Sequence, residues 1–176
     1  MKIKNFSDYI NQTKVEEKLV HDKDEQNVLK PTSHEEKHIY TYVHTEKNFC
    51  IETKNQTAAI TLVEYYAKQR GMEAIELFAG KDIKGKEDLN GIPTSGGKIA
   101  IPKWASTIKD NPNKKYIVLL VGDFDKDVQN ALMTAVEGQV GGYDISANST
   151  FVLICENAES LEKPLKARLS RKPVVL

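Results

Sequence analysis

The chain predicts an α/β fold built on a mostly parallel, five-stranded sheet with helices on its faces. Three observations carry this. From Lys47 onward, short apolar runs alternate with segments of helical periodicity, the pattern of a parallel sheet whose crossovers are helices. Ile117-Val118-Leu119-Leu120-Val121 is apolar throughout, as a central strand covered on both sides must be. Ala58, Ala59, Ile60, Leu62, Val63, Tyr66 and Ala67 recur at the spacing of one helical face.

Taken in order, residues 1–46 read as a polar N-terminal extension and residues 47–176 as the α/β domain. In the extension, Phe6–Gln12 and Lys14–Lys23 are weakly helical, and Val15, Leu19 and Val20 form a thin apolar stripe. Pro31-Thr32-Ser33 breaks the chain, and Ile39–Val43 is β-branched and aromatic enough to predict a strand. In the domain, the strands expected are Phe49–Thr53, Ala74–Phe78, Tyr116–Val121, Thr150–Cys155 and Pro173–Leu176. The expected helices are Thr57–Arg70, Lys126–Glu137 and Ser160–Leu169. Gly80–Asn113, punctuated by prolines and glycines, reads as one long loop. No internal repeat is present.

Bulk properties narrow the function. In 176 residues, 25 lysines and arginines balance 25 aspartates and glutamates, so the formal charge is zero. This argues against a nucleic-acid binder that works by bulk electrostatics. An apolar fraction of 40% supports a real core. Cys50 and Cys155 fall in predicted strands and are expected to be buried free thiols in a reducing compartment. No apolar run approaches a membrane span, and residues 1–25 hold no signal-peptide core. The expectation is a cytoplasmic protein. Trp104, the only tryptophan, is expected to be a packed anchor.

Several segments, in order, resemble the AAA+ ATPases, and most of all their MoxR-type branch. Lys86-Glu87-Asp88-Leu89-Asn90-Gly91-Ile92-Pro93 is similar to the segment after the second strand, and Ile101-Pro102-Lys103-Trp104 to the element that follows it. Asp127 to Leu132, continuing to Val136-Glu137, resembles the helix after Walker B. Val140-Gly141-Gly142-Tyr143 resembles the turn after that helix, and Phe151 to Asn157 the sensor-1 strand with its polar tip. Pro164-Leu165-Lys166-Ala167-Arg168 is similar to the clamp-loader box that carries an arginine finger. The resemblance covers residues 47–176. It implies a three-layer α/β/α, P-loop-NTPase-like sandwich in which the Phe49 strand lies between the strands near Thr150 and Pro173.

The chain departs from that family where the chemistry should be. A Walker A loop cradles phosphate on glycine N–H groups and ends in Lys-Thr or Lys-Ser. Here Glu52-Thr53-Lys54-Asn55-Gln56-Thr57-Ala58-Ala59 has no glycine, and Ala58 and Ala59 take the places of the lysine and the threonine. The degenerate nucleotide positions are thus Asn55, Thr57, Ala58 and Ala59. Walker B should end in Asp-Glu, but the chain reads Gly122-Asp123-Phe124-Asp125. Asp123 is the one acid kept, and with Asp125 it is expected to be a solvated strand end and helix cap. Glu156 and Asn157 stand at sensor 1, where a structural cap is expected. The helical lid of the family is not found before Leu176. The resemblance therefore implies no catalytic residue, no cofactor, and a domain that works through protein contacts. It would be a scaffold or stator, or would donate Arg168 (with Arg171 as the second candidate) as a finger to a partner's site. That partner would be an active AAA+ ATPase or another copy of this chain. Two alternatives remain open. One is a residual ATPase of MoxR type using Asp123. The other is a zinc hydrolase on His34-Glu35-Glu36-Lys37-His38, which fits H-E-x-x-H and has His44 as third ligand.

Overall fold

The computed structural model describes residues 31–170 and 172–176. The helical pieces expected at Phe6–Gln12 and Lys14–Lys23, and Arg171, lie outside the described residues.

The first described element differs from the sequence expectation. Ile39–Val43 is not a strand but the middle of helix α1, His34–His44. Ser33 and Glu36 form a reciprocal capping box, which satisfies two of the orphan donors that a helix start leaves. Ile39 and Val43, four residues apart, are both fully buried. Burial at a spacing of four outweighs the strand propensity of the aromatic and β-branched residues between them.

The strands follow as expected, within one or two residues. β1 is Phe49–Glu52, β2 Met72–Phe78, β5 Lys115–Val121, β8 Ser149–Cys155 and β9 Val174–Val175. They form one sheet in the order β2-β5-β8-β1-β9, and all four neighbouring pairs are parallel. β1 thus lies between β8 and β9, with Phe49 opposite Val152 and Ile51 opposite both Ile154 and Val174. Asn48, just before β1, pins the bottom of the sheet. Its amide donates to Val136 O at 2.7 Å and accepts from Phe151 N–H at 2.8 Å.

Alternate residues of the central strands feed two cores. Phe49, Ile51, Ile117, Leu119, Val121, Val152 and Ile154 face α1 and α2, the latter Gln56–Gln69. Tyr116, Val118, Leu120, Phe151, Leu153, Cys50 and Cys155 face the other way. They meet α4 (Lys103–Lys109), α5 (Lys126–Val136) and α6 (Lys163–Arg168). The result is a three-layer α/β/α sandwich around a parallel five-stranded sheet. β2 closes one edge and turns Glu73 and Glu76 to solvent, a charged edge that discourages further strand pairing.

Two connections differ from the sequence expectation. Gly80–Asn113 is not one loop. It holds a short helix α3 (Glu87–Asn90), a two-stranded hairpin β3–β4 (Ile92–Pro93 with Ile99–Ala100) and α4. Trp104 anchors this segment, its indole N–H donating to Asp88 O at 3.0 Å and its ring meeting Phe151 edge-on. The expected helix Ser160–Leu169 is split into a 3-10 turn, Ala158–Ser160, and α6. Pro164 enters α6 in its first turn, where a missing N–H costs nothing. A second small hairpin, β6–β7 (Gln139–Val140 with Tyr143–Asp144), precedes β8.

Candidate functional site

Ligands of open parallel sheets bind outside the carboxyl ends of the strands. Here a cleft of about 650 Å³ opens at that place, beside the start of α2. Its walls are Glu52 and Thr53 at the end of β1, Lys54 and Asn55 of the following loop, and Ala58 and Leu62 of α2. Glu156 after β8, Val175 and Leu176 by β9, and Ser33 and Glu36 of α1 complete it.

The loop between β1 and α2 is closed on itself. Asn55 N–H donates to Thr53 Oγ1 at 3.0 Å, and Ala58 N–H donates to Asn55 Oδ1 at 3.1 Å. Asn55 is thus the N-cap of α2, and its side chain occupies a donor that a phosphate would otherwise use. The charges that line the cleft are three carboxylates, Glu36, Glu52 and Glu156, against the single ammonium of Lys54. Glu36 accepts from Thr32 N–H at 2.7 Å and, as its half of the capping box, from Ser33 N–H at 3.5 Å, and Glu52 accepts weakly from Ala158 N–H at 3.3 Å.

Of the degenerate nucleotide positions, Asn55 and Ala58 line this cleft. Thr57, Ala59, Asp123 and Asn157 do not. Ala59 is turned into the core. Asn157 caps the 3-10 turn, accepting from Glu159 N–H at 2.8 Å. Asp125 caps α5, accepting from Val128 N–H at 2.9 Å. Gly122 has a φ of 113°, and a Cβ placed on it would lie 2.9 Å from Ala79 Cβ. The position where the resemblance expects an acid is therefore held by a backbone conformation that side chains rarely adopt.

Arg168 sits elsewhere. Its Nε donates to Glu137 Oε1 at 2.6 Å and its Nη1 to Pro164 O at 3.0 Å. It lines a depression with Asn48, Val136 and Ser149, residues at or near the amino ends of β1 and β8. That is the end of the sheet opposite the cleft.

The histidine motif is on a helix, but its three members do not converge. His34 and His38 lie one turn apart, with Nε2 atoms 2.9 Å from each other. His44 lies six residues further, about 9 Å along the helix axis at 1.5 Å per residue. Its Nδ1 donates to Tyr40 O at 2.9 Å and its ring stacks on Tyr40. Among the described residues, no three His, Cys, Asp or Glu side chains group to hold a metal.

Cys50 and Cys155 are buried free thiols on neighbouring strands, 3.8 Å apart. The shared S–H contact, and then burial, push the Cys50 thiol up from its ordinary value. The residues that sequence reasoning missed are Ser33 and Glu36 of the cleft wall. The pattern Ser33-x-x-Glu36 is a capping-box signature and was the available signal.

Compared with known proteins, the chain matches no family model and no curated relative. Among the described residues, no helix is long and apolar enough to cross a membrane.

Proposed function

We propose that this chain is a catalytically inactive, AAA+-like domain of MoxR type that works by protein contact, as a scaffold or stator of a larger assembly. The observation that carries the reading is the cleft beside α2. It stands where a nucleotide would bind, yet its loop is capped by Asn55 and its walls carry three carboxylates against one lysine. At an effective dielectric of about 20, two like charges 4 Å apart repel by about 4 kcal/mol. That is the whole free energy of a roughly millimolar affinity, so a single close carboxylate suffices to cancel weak phosphate binding.

Calorimetry with ATP and magnesium tests this. The expected result is no dissociation constant tighter than about millimolar and no hydrolysis above background. A micromolar constant would support the residual-ATPase alternative and end the proposal.

The finger-donor version rests on Arg168. A guanidinium held by one carboxylate at the surface is released at little cost, since exposed ion pairs are worth about 0–1 kcal/mol. In an assembly with an active AAA+ ATPase, or with copies of this chain, Arg168→Ala should leave the fold intact. If the arginine serves the partner's site, the partner's turnover should fall by about a hundred-fold or more. The scaffold version expects unchanged turnover, with association weakened instead by charge reversals in the 80–113 segment.

A further inference from the structure

The exposed face of α1 carries a pair of side chains that the cleft does not use. Ile39 and Val43 turn that helix's other face into the core, while His34 and His38 stand exposed one turn apart. The capping box at Ser33 fixes the first turn, so His34 sits on regular helix from its first residue. The two imidazoles meet edge-on, with ring centroids 4.4 Å apart and an interplanar angle of 85°. The ring of Tyr42 stacks on His38 at 6.1 Å. Each Nε2 faces the other at 2.9 Å.

That distance is an N–H···N hydrogen bond between exposed side chains. A small rotation of both rings lets the two nitrogens share one metal ion, since two metal–nitrogen bonds of about 2.05 Å span about 2.9–3.3 Å. Imidazole suits copper, nickel and zinc, and Cu(II) heads the general order of divalent affinities.

We propose that His34 and His38 form a two-point chelate for a tetragonal divalent transition-metal ion, Cu(II) foremost, with water in the remaining positions. The metal takes the place of the proton the two nitrogens share. Ni(II) binds the same pair more weakly, following the general order of divalent affinities. His44 takes no part, because it lies six residues beyond His38, about 9 Å along the helix axis. Chelation ties the first two turns of α1 together. That helix supplies Ser33 and Glu36 to the cleft, so the ion orders one wall of it without entering it.

The test uses the full chain, titrated with Cu(II) and followed by calorimetry and electron paramagnetic resonance. The expected result is a site with a tetragonal spectrum and two equatorial imidazole nitrogens. Its affinity should fall by about tenfold or more in His34→Ala and equally in His38→Ala, and stay unchanged in His44→Ala. Cu(II) should also raise the melting temperature of the parent chain and of His44→Ala, but not of His38→Ala. Because both histidines are exposed, circular dichroism should show all three variants folded. A Cu(II) site that survives both His34→Ala and His38→Ala lies elsewhere on the chain and overturns the proposal. So does a spectrum with a single nitrogen, or an equal loss in His44→Ala.

Discussion

The loops that leave β1 and β5, two strands on either side of β8, solve the same problem differently. Each runs from a buried strand end to a helix start, and each ends in an N-cap whose side chain accepts a backbone N–H, Asn55 from Ala58 and Asp125 from Val128. After β1 the closure is made by side chains, Thr53 and Asn55, beside an open cleft. After β5 it is made by a strained backbone together with a buried side chain. Gly122 is held at positive φ against Ala79, and buried Gln129 clamps the loop, donating to Phe124 O at 2.8 Å and accepting from Glu162 N–H at 2.7 Å. The difference teaches that two strand-to-helix loops of one sheet are closed by different means. A side-chain closure can be changed one residue at a time, whereas a backbone set by a glycine strains any side chain placed on it.

The strongest way to break this comparison is Gly122→Asp, which places an acidic side chain on that backbone. Strain at positive φ costs about 1–3 kcal/mol, and the approach to Ala79 adds overpacking of similar size. The expected total is about 2–6 kcal/mol of lost stability, read as a lower denaturant midpoint at unchanged slope. If the variant were as stable as its parent, the backbone would not be what excludes the acid.

A smaller effect sharpens the comparison between the caps. Asn55→Ala and Asp125→Ala each remove one cap bond and should each cost about 1 kcal/mol. The two caps begin helices on opposite faces of the sheet. Their losses should therefore add to within about 0.5 kcal/mol in the double variant. A large coupling would show that the loops act as one unit, and urea melts of the four chains decide it.

The same contrast explains what was legible in the sequence. Ile117–Val121 and Phe151–Cys155 were readable because their apolar runs are continuous, and the shorter strands because they alternate with segments of helical period. α2 was readable because seven apolar residues keep its period. Ile39–Val43 was misread because composition favoured a strand, while the deciding facts were a cap at Ser33 and contacts across to α2. The pieces within Gly80–Asn113 were invisible because a four-residue helix and two-residue strands are too short to show periodicity. That the loop Glu52–Ala59 has no glycine and no Lys-Thr or Lys-Ser was plain from the letters. The acidic lining of the cleft was not, because Glu36 and Glu156 reach it from elements 16 residues before and 104 residues after Glu52. The ion pair of Arg168 with Glu137 was hidden for the same reason.

The smallest effect concerns the other face of α2, away from the cleft. Burial, and then the nearby carboxylate of Glu76 on the edge strand β2, raise the carboxyl of Glu64 above its ordinary value. The folded state therefore binds this proton more tightly than the unfolded chain does. That contribution is present at low pH and is lost as pH rises through the folded-state value, so at neutral pH the ionised pair is a cost. Glu64→Gln should stabilise the protein at pH 7. The gain should shrink as pH falls through the carboxylate range and vanish once Glu64 itself is protonated. Both groups are largely solvated, so screening holds the gain to about 0.5 kcal/mol or less. Molar salt should reduce the share that comes from Glu76 and leave the share from burial. Thermal melts at pH 7 and pH 4, with and without salt, separate the two. A stabilisation that is the same at both pH values would mean that the glutamine gains its stability from packing rather than from lost charge.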